Sequence, residues 1–245
     1  MSRSRELRAR ARAALTGRYW WAFAATLIVS TVIGVVTNIL VAGSATTVLM
    51  RIMANPNIFT NTTQVLWDAI GEIIHMTISV SVMTTIVIVL LANPLNVSLS
   101  RYFIVNTQEK PALGELLYGF KTKYGRNVGT LLLVAIKTYL WSLLFVIPGI
   151  IKAYEYSIVP YLLADNPYMT SSEAFVQARD MMRGNKWRMF KLQFSFIGWI
   201  FLSGFTGGLG FYFLQPYMQA ATAEFYVELK ASKADAVEAQ ELPAE

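Results

Sequence analysis

The sequence predicts an all-α fold, a polytopic transmembrane helical bundle, on three observations. First, 55% of its 245 residues are hydrophobic and only 15% are charged, against about 25% charged in typical soluble domains. Second, the apolar residues fall in long blocks: Tyr19–Val41, Ile73–Ala92 and Leu192–Gly210 contain no Asp, Glu, Lys or Arg, and Val128–Ile147 contains only Lys137. About 20 residues at 1.5 Å each cover a hydrocarbon core of about 30 Å. Third, the basic residues are distributed unevenly, and their positions fix a span count.

The elements follow in order. Residues 1–18 read as a basic amphipathic helix over 5–16, ended by Gly17. Arg18, Trp20 and Trp21 then act as interfacial anchors, since Lys, Arg and aromatic rings favour that depth. The first span, about 19–42, is too long for the 7–15-residue core of a signal peptide. The second covers about 70–92. A short helix over 112–118, ended by Gly119, leads to the third span at 128–147. The turn Pro148-Gly149 opens a fourth at 149–164, although Lys152, Glu155 and Pro160 interrupt it. Thr170 and Glu173 form a capping box for a helix whose one face carries Ala174, Phe175, Ala178, Met181 and Met182, and Gly184 ends it. Lys186, Trp187 and Arg188 anchor the fifth span, 190–208. Gly207 and Gly208 make the last turn before the sixth, 211–229, with Gln215, Pro216, Gln219 and Glu224 inside it. Residues 19–230 form the membrane domain, and 231–245 are expected to be a disordered cytoplasmic tail.

Six spans with the N-terminus inside place 18 of the 21 basic residues in the cytoplasm and only Arg51 outside, with Lys137 and Lys152 inside spans. Four spans would strand the Arg179–Lys191 cluster outside. The positive-inside tendency therefore selects six spans, grouped as three hairpins with in-plane cytoplasmic amphipathic helices. The same distribution accounts for the formal charge of +6 without nucleic acid. The expected partners are the lipid bilayer and anionic headgroups.

The stretch Ser142-Leu-Leu-Phe-Val-Ile-Pro-Gly-Ile-Ile-Lys-Ala-Tyr-Glu-Tyr-Ser157 resembles the signature of a bacterial membrane family, domain of unknown function 975. Pro160–Pro167, Ser172–Phe175, Met182–Arg188, Phe194–Trp199, Gly208–Phe211 and Pro216–Met218 match it in order, so the resemblance runs over about 5–229. It implies a helical bundle in a bacterial plasma membrane and carries no catalytic residues. A Pro-Gly hairpin, a Glu-Ala helix and a Gly–basic–Trp re-entry are also similar to the membrane domain of some glycerophosphodiester phosphodiesterases.

Ionisable groups inside a bilayer cost about 2.5–3.5 kcal/mol at mid-helix on insertion scales, which marks them as functional candidates. Lys137, Glu155 and Glu224, with Gln215 and Gln219, form the candidate intramembrane polar site. Lys137 and Glu224 could bind an anionic or amphiphilic ligand, join helices as a structural pair, or snorkel to headgroups. Lys152 and Glu155 can pair at i,i+3. His75 lies beside Asp68 and Glu72 at the outer end of the second span, where a solvated histidine is the simpler reading. Asn61-Thr62-Thr63 fits a glycosylation sequon. With one histidine and no cysteine, the usual hydrolytic, redox and metal constellations are absent, so no enzyme, cofactor or metal is expected. The sequence favours a non-catalytic scaffold, assembly or lipid-interacting membrane protein. The alternative is a small transporter or channel using the site around Lys137 and Glu224, because broken helices frame such sites.

Overall fold

The computed structural model describes residues 4–54 and 62–241, and every regular element among them is helical. Asn61 of the sequon lies outside the described residues. Three helical stretches are long and apolar enough to cross a membrane: Tyr19–Gly43, Leu66–Gln108 and Tyr124–Leu144. The expected fourth and fifth spans are each divided between two shorter helices, and the expected sixth lies in a helix of 33 residues that is not among these three.

The chain divides into two compact units. The smaller, Ser30–Ala92, holds most of α2 (Tyr19–Met53), all of α3 (Thr62–Val87) and a π-helical turn over Ile88–Ala92. Its helices show large apolar side chains: Leu66, Trp67, Ile78 and Val82 are each more than half exposed. The π turn sits just before Pro94. Proline has no N–H for the carbonyl four residues back and its ring crowds that carbonyl, so the helix widens there.

The larger unit joins the N-terminal residues up to Val29 to the chain from Asn93 onward. Its centre is α4 (Asn93–Gln108), in which Leu95, Val97, Leu99, Tyr102, Phe103 and Ile104 are buried. A 3₁₀ turn (Leu113–Leu117) and α5 (Tyr118–Lys121) replace the short helix expected over 112–118. Gly119 is required here, because a Cβ on it would lie 2.1 Å from the Pro94 carbonyl oxygen. Asn127 Nδ2 donates to the Gly119 and Thr122 carbonyls and seats the start of α6 (Tyr124–Leu144).

The segment 149–164 is divided between α7 (Val146–Tyr156) and α8 (Val159–Asp165). The break falls at Ser157–Ile158, because Pro160 cannot donate to the carbonyl of Tyr156. The segment 190–208 is likewise divided, into α10 (Lys186–Phe194) and α11 (Ile197–Gly204). Eight residues in α11 reach only about 12 Å. Segment 211–229 lies within one long helix, α12 (Leu209–Glu241), which tolerates Pro216 and continues through 231–241 of the tail expected to be irregular.

Two amphipathic helices use their apolar faces internally. On α1 (Ser4–Leu15), Leu7, Ala11 and Leu15 are buried, at the i,i+4 spacing of a single stripe, and the helix packs on α12. Ala220, Ala221 and Ala223 are buried on α12. On α9 (Ser171–Met182) the predicted face of Ala174, Phe175, Ala178, Met181 and Met182 is entirely buried, and α9 packs on α7 and α8. The predicted capping box is present, and Gly17 and Gly184 adopt the positive φ of helix-ending elbows.

Candidate functional site

Glu155 is a buried ionisable group of the larger unit with three cationic partners. It is 2% exposed at the end of α7. Lys152, one turn earlier, donates to its Oε1 at 2.7 Å. Lys186, at the start of α10, donates to Oε2 at 2.5 Å. Arg179 of α9 brings its Nε to 3.4 Å from Oε1. One carboxylate thus ties three helices together, with the charge-assisted bonds that offset its burial.

Two further carboxylates work in the same way. Glu228 on α12 pairs with Arg10 of α1 and with Arg188 of α10, the latter at 2.5 Å. Asp165, at the end of α8, accepts from Lys230 at 2.6 Å and from the Tyr226 hydroxyl at 2.9 Å. The predicted anchors Lys186 and Arg188 therefore serve as partners of a buried acid, Glu155, and a part-buried one, Glu228. Trp187 is 62% exposed, Trp20 70% and Trp21 47%. Arg18 donates to the Asn106 carbonyl, and Lys110 sits over the Trp21 ring.

The structure does not gather the predicted polar site into one place. The Lys137 ammonium lies 3.6 Å from the centre of the Phe175 ring, a cation–π contact supplied by α9. Glu224 is buried on α12, and among the described residues the two form no ion pair with each other. Gln215 and Gln219 do converge, on a cavity of about 280 Å³ that also meets Asn96, Ser157, Tyr161 and Gln193. The Tyr161 hydroxyl donates to Gln219 Oε1 at 3.1 Å. A second cavity of about 580 Å³ shares Asn96, Ser157 and Pro160 and adds Asn93, Thr138 and Ser142. Both open at the break between α7 and α8. Their polar groups are amides and hydroxyls, suited to hydrogen-bonding a neutral or weakly polar group. No cluster of three or more His, Cys, Asp or Glu residues that could hold a metal occurs among the described residues.

Residues 143–233 match a family described as "Protein of unknown function (DUF975)". The DUF975 match begins at the end of α6 and runs well into α12, so it takes in Glu155, Asp165 and Glu228 and every partner named above except Arg10. Helices α1–α5 lie outside it. No curated protein and no solved structure matches the chain, and the likeness to the phosphodiesterase membrane domain is not shown.

The sequence reading named Glu155 and Lys152 together but missed Arg179. The signal was present in the amphipathic pattern of α9: a face that packs on α7 must carry Arg179 at its edge. Asn96 and Ser157 were also missed, since neither is charged and both sit beside apolar runs.

Proposed function

We propose that the protein is a non-catalytic, multi-pass protein of the bacterial plasma membrane that scaffolds partners or binds lipids. The observation that carries this reading is the apolar surface of two hairpins. Leu133, Tyr139, Leu143, Phe145, Val146 and Ile147 on α6–α7 are exposed, as are Ile197, Phe201, Phe205, Leu209 and Phe213 on α11–α12. An exposed apolar area of that extent requires a lipid or protein cover. Both hairpins rise from a base whose acids and bases are paired, which suits the polar side of an interface. Together α7 and α8 cover 146–165, and α10 and α11 cover 186–204, so each broken arm approaches the about 20 residues of a span. On this reading there are six spans in three hairpins, with both termini cytoplasmic.

The chain has no cysteine, so single cysteines can be read directly with an impermeant thiol reagent on intact cells. Cysteines at Val146 and Thr206 should label from outside, and one at Lys230 only after the cells are opened. Hairpin cysteines silent from outside would make these arms re-entrant and end the six-span count. External labelling at Lys230 would reverse the orientation.

The paired cavities at the α7–α8 break favour a second reading, a small transporter. It rests on Asn96 and Ser157 rather than on Lys137, which lines neither cavity. In the same experiment, a cysteine at Asn96 that labels from both sides of the membrane supports transport. One that labels from neither supports the scaffold.

A further inference from the structure

Arg8 and Arg12 stand apart from the other arginines of α1. They are four residues apart and therefore on one face of the helix. Arg10, on another face, pairs with Glu228, but neither Arg8 nor Arg12 meets a carboxylate among the described residues. Arg8 Nε is buried without a hydrogen-bond partner, which buried polar atoms rarely tolerate.

Both arginines line a cavity of about 480 Å³ whose other walls include Thr16, Tyr19, Trp199 and Tyr217. The surrounding frame is fixed. The Tyr217 hydroxyl donates to the Arg8 carbonyl at 3.2 Å, and the Tyr19 hydroxyl to the Phe213 carbonyl at 2.7 Å. Gly17 turns the chain at φ +72° between Arg12 and Tyr19. The cavity is thus lined by two arginines and by the aromatic residues Tyr19, Trp199 and Tyr217. Trp199 continues into the exposed apolar face of α11, where Phe201 and Leu202 are uncovered.

We propose that this cavity binds the phosphate headgroup of an anionic phospholipid. The guanidinium forks of Arg8 and Arg12 hold the phosphate oxygens, because planar paired donors match that geometry. Trp199 and Tyr19 flank the glycerol region, the depth that amphipathic rings prefer. The acyl chains run along α11. Free inorganic phosphate shares the anion chemistry but has no use for the apolar wall. The inference rests on the membrane reading for its source of ligand.

The test uses the full-length protein in nanodiscs of equimolar phosphatidylcholine and phosphatidylglycerol, with bound lipid counted by native mass spectrometry. The wild type should retain phosphatidylglycerol in preference to phosphatidylcholine. The Arg8→Gln/Arg12→Gln variant should lose that preference by about tenfold, the scale expected for removing a charged hydrogen bond. Arg5→Gln, outside the cavity, should keep it. Leu214→Trp fills the cavity without touching its charges and should also abolish retention, which covers the case of a double variant that misfolds. Equal binding of both lipids by the wild type, or undiminished phosphatidylglycerol on the filled variant, overturns the proposal. So does stabilisation by inorganic phosphate with no lipid preference. A chain released from membranes by alkaline wash would instead defeat the membrane reading itself.

Discussion

The α6–α7 hairpin reverses through a single extended residue, Phe145 (φ −157°, ψ 143°), whereas α11–α12 takes the four residues 205–208. In the second turn Gly207 and Gly208 sit at φ +63° and +86°, where a side chain is strained. In the first turn no residue has positive φ, and the arms close by contact instead. A Cβ on Gly149 would lie 2.1 Å from Ser142 Oγ and 2.6 Å from Ser142 Cα. The second hairpin repeats this pairing loosely. Gly210 faces Ser203, again seven residues earlier, but a Cβ there would stay 2.9 Å from the nearest atom. Both serines turn their hydroxyls back to the carbonyl four residues earlier. The two hairpins thus share a Ser–Gly closure and differ in what enforces it: close packing in one, backbone conformation in the other.

The arms differ in a complementary way. The first hairpin has an unbroken outgoing helix and a broken return, and the second the reverse. In each, the return helix is fastened by one glutamate, the buried Glu155 or the part-buried Glu228, to cations delivered from elsewhere. Breaking these fastenings should have the largest effect. Removing one partner of a fully buried pair costs about 3–5 kcal/mol. Arg179 and Lys186 are partly exposed and can turn to water, so Glu155→Ala should cost about 2–3 kcal/mol after that discount. Glu228→Ala should cost less, about 1 kcal/mol, because its partner Arg10 is nearly half exposed. Thermal unfolding in detergent should order the melting temperatures as wild type, Glu228→Ala, Glu155→Ala. Equal losses would mean the two fastenings are equivalent.

The turns offer a smaller and more discriminating test. Gly149→Ala places its methyl against the backbone of Ser142 and should cost about 1–3 kcal/mol, as overpacking does. Gly208→Ala meets no neighbour and should cost about 1 kcal/mol for its left-handed backbone. Asparagine separates the two causes: it tolerates positive φ, so Gly208→Asn should recover stability lost in Gly208→Ala, while Gly149→Asn should do worse than Gly149→Ala. The same melting measurement decides it. Recovery by asparagine at both sites, or at neither, would erase the distinction between the turns.

These features were unevenly legible in the sequence. The apolar blocks gave the long helices, and positional chemistry gave Gly17, Gly184 and the Thr170–Glu173 box, because each is a local rule about caps or φ. The buried face of α9 was readable from its period. The breaks at Ser157–Ile158 and Ser195–Phe196 were not, since hydropathy continues through both and only Pro160 hints at the first. What covers an amphipathic face is likewise not a local property. The stripe of Leu7, Ala11 and Leu15 would read the same against lipid as against α12. The predicted Lys137–Glu224 pairing assumed depth along straight, full-length spans. Once 149–164 divides and α9 packs on α7, Lys137 meets Phe175, and Glu155 takes cations from α9 and α10.

Helix α9 lies between the hairpins in sequence but serves them unequally, which leads to the smallest expected effect. It delivers Arg179 to Glu155 of the first hairpin, while the cations on Glu228 come from α1 and α10. Its start is held by the capping box: the Thr170 backbone N–H donates to the Glu173 carboxylate at 2.8 Å, and the Glu173 N–H to the Thr170 hydroxyl at 3.3 Å. The backbone bond, followed by the Thr170 side chain, holds the Glu173 carboxyl below its ordinary value of 4.5. A depressed carboxylate contributes its stability above the unfolded value and loses it as pH falls through the folded one. Amide exchange at Ser171–Ala174, corrected for intrinsic rate, should therefore lose protection as pH drops below 4.5. Glu173→Gln keeps an acceptor but cannot titrate, so its protection should be flat over the same range. A weaker echo should reach the amides around Glu155 and leave those around Glu228 unchanged. A pH response of equal size at both glutamates would show that α9 braces the two hairpins alike.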